Sequence, residues 1–248
     1  MKLSVLIPAH NEEGCLASTV HEIYNQLDAE KINHEILVVN DHSTDKTEEV
    51  LRELGLAIPT LVTAANPGPG GYGYAVRCGL ERFTGDCVAI MMADRSDSPE
   101  DLVKFYRAIT EGYDCIFGSR FMPGATVTDY PPIKLALNRL ANTFTRVVFG
   151  IPYNDFTNAF KMYRKSTIQG LQPLLSAHFN LTLELPLKAV VRGYSYKVLP
   201  NDWAHRKQGE SKLKIKEMGS RYFFIFLYCL IEKYLSKGDY KKVNAAPY

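Results

Sequence analysis

"VAIMMADRSDSPEDL", residues 88–102, runs from an apolar segment into an acidic pair, Asp94 and Asp97. Ser98, Pro99 and the acids Glu100 and Asp101 then mark the start of a helix. The stretch reads as a buried strand that delivers carboxylates to its carboxyl end. Open α/β sheets bind their ligands there, in the crevice beyond the strand ends.

The same unit repeats on either side. Short apolar runs at Leu3–Ile7, Glu35–Asn40, Pro59–Thr63, Cys87–Met92 and Asp114–Phe117 read as strands. Helical stretches at Gly14–Leu27, Asp45–Leu54, Tyr74–Phe83 and Pro99–Glu111 lie between them. Strands that are apolar throughout suit a parallel sheet covered on both faces. The alternation predicts an α/β fold, doubly wound, from residue 1 to about 120. Beyond that point the pattern is helix-rich and less regular.

Composition bounds the function. The chain has 248 residues, 46% hydrophobic and 23% charged, enough for a large core in a globular protein. A net charge of only +2 gives no global attraction to nucleic acid, so nucleic acid is not an expected partner. The five cysteines, Cys15, Cys78, Cys87, Cys115 and Cys229, have no CxxC spacing and read as small core residues of a reducing compartment. The opening "MKLSVLIPAH" is too short in its apolar part for a signal peptide and reads as a strand.

The loops after the strands carry the chemistry. "PAHNEE" is a turn in which Asn11 can cap a helix. "VVNDHSTDKTEE" leaves Asp41 at a strand end, placed to accept hydrogen bonds from a base or ribose. "NPGPGGYGYAVRCGLE" brings Gly68, Gly70, Gly71 and Gly73, which allow close backbone approach to a ligand. The first strand is not followed by GxGxxG, and GxxxxGK[ST] is absent, which disfavours a dinucleotide fingerprint and a P-loop.

In order and spacing, "VLIPAHNEE", "VVNDHSTDKT", "GYGYAVRCGL", "MMADRSDSPEDL" and "FGSRF" resemble the inverting family 2 glycosyltransferases of the GT-A fold. "YNDFTNAFKMYR" (153–164), "FNLTLELPLKAVVRGY" (179–194) and "HRKQGESKLKIKEMG" (205–219) resemble the branch that contains dolichyl-phosphate mannosyltransferases and other polyprenyl-phosphate glycosyltransferases. The resemblance implies a GT-A sheet, mostly parallel and flanked by helices, and a nucleotide-sugar donor, GDP-mannose being favoured. Pro8, Ala9, Asn11 and Glu12 match the first nucleotide-contact loop. Asp41 matches the second of two base-holding aspartates, the first being Asn40 here, and Gly71 and Gly73 fall in the third contact loop.

Met92, Ala93 and Asp94 occupy the place of the family's Asp-Ala-Asp, so Asp94 has the metal-binding position and Met92 replaces the other carboxylate. Ser96 stands where a Gln is often found. Mg²⁺ or Mn²⁺ takes as few as one or two protein carboxylates, substrate phosphates and waters completing its octahedron. The expected metal set is therefore Asp94 with Ser96 and Asp97, dependent on substrate. A thioether is too soft to replace the missing oxygen ligand.

A lipid phosphate is already an anion at neutral pH and needs cations to hold it rather than a base. The expected cations are Arg120, Arg139, Arg206 and Lys212, with Ser211 adding a hydroxyl. Glu184 matches the family's acidic position, to orient a cation or act as base, and Asp155 and Asn158 are expected to order the loop beneath the acceptor.

The C-terminal part adds an apolar, aromatic run from Tyr222 to Ile231 preceded by Lys207, Lys212, Lys214, Lys216 and Arg221. Ten residues are too few for a bilayer span, which needs ~20. A helix lying in the membrane interface fits better, with a core-packing or dimer helix as the other reading. The expected organisation is a GT-A domain over 1–212, its donor half ending near 120 and its acceptor half covering 121–212. An interfacial helix over 213–236 and a polar tail over 237–248 complete it. The protein is expected at the cytoplasmic face of a membrane, and a homodimer stays open. Two other functions also stay open. One is transfer to a saccharide or other hydroxyl, with Glu184 as base. The other is a non-catalytic nucleotide-sugar-binding protein at the membrane.

Overall fold

Residues 1–204 and 215–242 are described by a computed structural model. Four βα units and a fifth strand open the chain: β1 (Leu3–Ala9), α1 (Leu16–Ala29), β2 (His34–Asn40), α2 (Thr47–Ala57), β3 (Leu61–Ala65), α3 (Tyr72–Arg82), β4 (Cys87–Ile90), α4 (Pro99–Thr110) and β5 (Cys115–Ser119). Then follow β6 (Val127–Thr128), α5 (Pro132–Phe149), β7 (Lys161–Arg164), α6 (Lys165–Gly170), α7 (Leu181–Val191), β8 (Tyr196–Pro200), β9 (Trp203–Ala204) and α8 (Ile215–Leu235).

Seven strands form one sheet in the order β3-β2-β1-β4-β7-β5-β8. It is parallel except at β7, which runs antiparallel to β4 and β5. Every residue of β1, β4 and β5 is buried, as their apolar runs require. Register aligns the strand ends: Ala9 pairs with Asn40, and Leu6 with Ile90, so the loops after β1, β2 and β4 emerge side by side. α4 begins as expected, with Ser98 Oγ accepting from the Asp101 backbone N–H at 3.2 Å and Pro99 opening the helix.

The helices and strands shift by a few residues from the expected bounds. The largest strand shift is β3, because Pro59 and Thr60 belong to the preceding turn. β3 is an edge strand and half-exposed, unlike the buried strand expected. β7 was not foreseen. It is four residues long, and its place between β4 and β5 is set by long-range pairing.

α8 packs against the body of the fold and is not set apart from it. Its Ile225, Phe226 and Cys229 are buried in the same core cluster as α3, α7 and one face of the sheet. Arg192 and Glu232 form a buried ion pair at 2.7 Å between α7 and α8. The described part of the tail, 237–242, is largely exposed as expected, with Lys242 Nζ paired to Asp114 at 2.8 Å. Among the described residues no helix is long and apolar enough to cross a membrane. Cys78, Cys87, Cys115 and Cys229 are buried and form no disulfide, matching the core role expected, while Cys15 is only half-buried.

Candidate active site

Three non-glycine residues in the loops after β1, β2 and β4 hold left-handed backbone: Asn11 at φ 55°, His42 at 56° and Arg95 at 60°. Such conformations cost energy and persist where surrounding bonds impose them, often at functional sites. Here the bonds are plain. Asn11 Oδ1 accepts from the Thr44 N–H at 2.7 Å, the Asn11 N–H donates to Ser43 Oγ at 3.0 Å, and the Glu12 N–H donates to Thr47 Oγ1 at 2.9 Å. The first two loops are thus laced into one surface. Asn11 is exposed and Glu12 half-buried on it, while Pro8 and Ala9 are buried in β1 and place the loop from below.

Asp41 departs from the free carboxylate expected. It is 5% exposed, accepts from Asn66 Nδ2 at 2.7 Å and accepts from the Gly71 N–H at 2.8 Å. It braces the third loop. Gly71 and Gly73 also differ in their reason. A side chain at Gly73 would come within 2.5 Å of the Ala177 carbonyl carbon, so the glycines admit the 176–178 backbone rather than a ligand. That backbone is held by Glu184, which is 0% exposed. Its carboxylate accepts from the Leu175 and Ser176 N–H groups at 2.8 and 2.7 Å and pairs with Lys188 at 2.6 Å. Glu184 is therefore fully buried and occupied by the 175–176 backbone and Lys188, without the solvent exposure a base would need.

At the end of β4 the turn closes on Asp94, whose Oδ1 accepts from the Ser96 N–H at 3.2 Å. Ala93 is buried, and its carbonyl accepts from Thr19 Oγ1 at 2.7 Å, so it anchors the turn instead of lining the cleft. Ser96 is buried as well. Asp97 turns inward and accepts from the Met92 N–H at 3.0 Å. Burial pushes its carboxyl up to about 7. Of the expected metal set, Asp94 is half-buried while Ser96 and Asp97 are buried. Among the described residues no cluster of three His, Cys, Asp or Glu side chains can enclose a metal. That donor set fits Mg²⁺ or Mn²⁺ only as a site completed by substrate phosphates, a mode these hard cations accept.

The Asp97 shift has a measurable consequence. Between the ordinary carboxylate value of ~3.9 and 7, the folded protein holds a proton that the unfolded chain releases. Asp97 thus contributes stability that is present in full below pH ~4 and is lost as pH rises through 7. In metal-free buffer, Asp97→Asn should flatten the fall in urea midpoint between pH 4.5 and 7.5. An unchanged slope would show that Asp97 ionises normally.

Arg120 is bound from within. Its backbone N–H, Nε and Nη2 all donate to the Asp155 carboxylate, the last two at 2.8 and 2.7 Å, and the side chain is 7% exposed. Rings of Phe121, Tyr130 and Trp203 lie 5.3, 5.7 and 5.7 Å from its guanidinium carbon. Its fork is spent on Asp155, so it offers a phosphate charge rather than a bidentate grip. Arg139 on α5 is different. It is exposed and stacked 4.5 Å over Phe121, and among the described residues it makes no ion pair. Asn138, its neighbour, donates to Thr157 Oγ1 at 2.7 Å, which docks α5 on the 154–160 loop. Asn158 joins Gly118 and Asn201 in the same loop, at 3.0 and 2.8 Å, in line with its expected ordering role.

Lys161 was missed. It is buried without a carboxylate partner, and its Nζ donates to the carbonyls of Phe156, Asn158 and Thr182. Burial pushes it down to about 7. A lone Lys within "NAFKMYR" gives no sequence signal of such a role. Arg206, Ser211 and Lys212 lie outside the described residues. The chain leads into them at Ala204, whose N–H donates to the Ser96 carbonyl at 3.3 Å, beside the Asp94 turn.

Residues 4–171 match the family described as Glycosyl transferase family 2. The chain is a family 2 glycosyltransferase. A relative from Mycolicibacterium smegmatis named polyprenol monophosphomannose synthase is 31% identical over 215 residues, 84% of this chain and 80% of the relative. A dolichol-phosphate mannosyltransferase from Pyrococcus furiosus is 32% identical over 222 residues, and the match spans 87% of this chain but 60% of that longer protein. Among solved structures, the fold of this glycosyltransferase resembles glucosyl-3-phosphoglycerate synthase from Mycobacterium tuberculosis in complex with UDP. The TM-score is 0.70 at 16% identity, covering 92% of this chain and 80% of that one. The same enzyme in complex with Mn²⁺, UDP and phosphoglyceric acid superposes with TM-score 0.70 at 15% identity, covering 92% and 78%. These likenesses confirm the mostly parallel GT-A architecture expected of the family 2 glycosyltransferase.

Proposed function

We propose that this glycosyltransferase moves mannose from GDP-mannose to a polyprenyl phosphate, with inversion, at the cytoplasmic face of a membrane. The observation that carries the reading is α5. One flank holds Arg139 with no anion paired to it among the described residues, and the outer face is an exposed apolar stripe. A ligand with a phosphate head and a long apolar tail matches both. The names of the two relatives support the same acceptor class and the same sugar.

The donor lies over the laced loops of Asn11, Glu12 and Asp41. Mg²⁺ or Mn²⁺ held by Asp94 would supply charge against the diphosphate as it leaves. An acceptor phosphate oxygen attacks the anomeric carbon from the face opposite the diphosphate. The bond from that carbon to the diphosphate oxygen breaks, and the nucleoside diphosphate leaves with the electron pair. No base is required, because the nucleophile is already an anion. The burial of Glu184 fits that chemistry and disfavours a hydroxyl acceptor. Arg139, with Arg206, Ser211 and Lys212, holds the acceptor phosphate in line, and Arg120 adds its buried charge. The test is transfer from labelled GDP-mannose to a short-chain polyprenyl phosphate set against mannose and methyl mannoside. Transfer only to the hydroxyl acceptors would overturn the reading.

Two helices support the membrane contact. On α5, Ile133, Leu137, Leu140, Phe144 and Val147 are exposed at spacings of three and four, which is one helical face. On α8, Phe223, Phe224, Leu227, Ile231, Tyr234 and Leu235 are exposed. Phe144 stacks on Phe226 at 5.1 Å and joins the two faces. α5 carries Lys134, Arg139 and Arg146 and no acid, which suits an anionic lipid surface. The double variant Leu140→Glu with Val147→Glu should lower binding to anionic liposomes by about tenfold or more, since two charges then enter the apolar contact. Its Kd for GDP with Mn²⁺ should stay that of the parent. Equal liposome sedimentation of variant and parent would remove α5 from the membrane face.

A further inference from the structure

We propose that Trp203 is a positioning residue that ties the acceptor-side arginine Arg120 to the Asp94–Asp97 turn. The inference rests on the acceptor reading above and deepens it by naming what couples the two halves of the site.

Trp203 touches both halves. Through its backbone it forms an antiparallel bridge with Asp97, and its N–H donates to the Thr126 carbonyl at 2.9 Å. Its neighbours extend the tie. The Ala204 N–H donates to the Ser96 carbonyl at 3.3 Å, and the Asp202 N–H donates to Asp101 Oδ2 at 2.7 Å. Asp202 Oδ1 in turn accepts from the Thr126 N–H at 2.7 Å. The 201–204 segment is therefore pinned to the metal turn on one side and to β6 on the other.

The side chain points at the other half. Its ring centroid is 4.9 Å from that of Tyr130 and 5.7 Å from the Arg120 guanidinium carbon. Together with Phe121 and Tyr130 it closes the faces of Arg120 that Asp155 leaves open. A cation held by ring faces cannot swing without losing those contacts. Any movement of the Asp94–Asp97 turn on donor binding is carried by the Trp203 backbone to the ring that covers Arg120.

Trp203 is the chain's single tryptophan, so its emission reports this place alone. Titrating the protein with GDP and Mn²⁺, with no acceptor present, should shift the intrinsic emission. Trp203→Ala should raise the KM for a short-chain polyprenyl phosphate about thirtyfold, the size of one desolvated cation–π contact. The Kd for GDP with Mn²⁺, measured by calorimetry, should stay within about twofold of the parent, and Trp203→Phe should recover most of the loss. An acceptor KM unchanged in Trp203→Ala, or an equal loss in donor Kd and acceptor KM, would overturn the proposal. If the parent itself fails to use polyprenyl phosphate, the acceptor reading has failed. The emission titration then decides the tie alone, and an emission blind to GDP and Mn²⁺ rejects it.

Discussion

Asp94→Asn should abolish transfer, with a loss of about a thousandfold or more in kcat/KM even at saturating Mn²⁺. Among the described residues of the turn, Asp94 is the carboxylate left in a ligand's place. Asp97 turns back onto the Met92 N–H and Ser96 is buried. An amide keeps the shape but brings no charge to a divalent cation, and removing charge stabilisation from a leaving group costs on the order of 3–4 kcal/mol or more. The Asp94 Oδ1 bond to the Ser96 N–H survives in the variant, so the turn should fold as in the parent. Activity of Asp94→Asn near that of the parent would remove the metal assignment. Thermal shift with GDP and Mn²⁺ gives a second readout, because a ligand that binds only the native state must raise its stability.

Asp155→Ala should be the most destabilising single change at the site, by about 3–5 kcal/mol in a denaturant titration. Asp155 is 0% exposed and accepts three hydrogen bonds from Arg120. Its removal leaves a guanidinium buried without an anion, which is the costly case for buried pairs. Replacing both partners is far milder in general, because two desolvation costs vanish together. Asp155→Leu combined with Arg120→Met should therefore recover much of the lost stability while remaining inactive on the lipid acceptor. A loss under about 1 kcal/mol for Asp155→Ala would show that water reaches Arg120 and that the pair is surface-like.

The Arg120 pair also marks how far the sequence could be read. "GSRF" identified an arginine at a strand end, and "NDFTNAF" an ordering loop. Nothing local states that Arg120 and Asp155, 35 positions apart, bond to each other. Glu184 shows the same limit from the other side. Its residue type and helix were legible, but its burial depends on the 173–178 loop that closes over it. The reverse holds at α4, where Ser98, Pro99 and the following acids act within a few residues, and the expected start at Pro99 is the observed one.

The sequence by itself determined the first four βα units and the fifth strand, their order, the loops after β1, β2 and β3 and the carboxylate at the end of β4. Those features follow from apolar runs, caps and turn residues that act within a dozen positions. Tertiary structure alone decided the antiparallel entry of β7 between β4 and β5, the partners of Arg120, Asp41 and Glu184, and the outward apolar face of α5. It also placed Trp203 between the Asp94–Asp97 turn and Arg120. Each of these depends on which distant segments close around a group. A charge's partner and a helix's covered side are fixed by that closure, because only there are water and alternative partners removed.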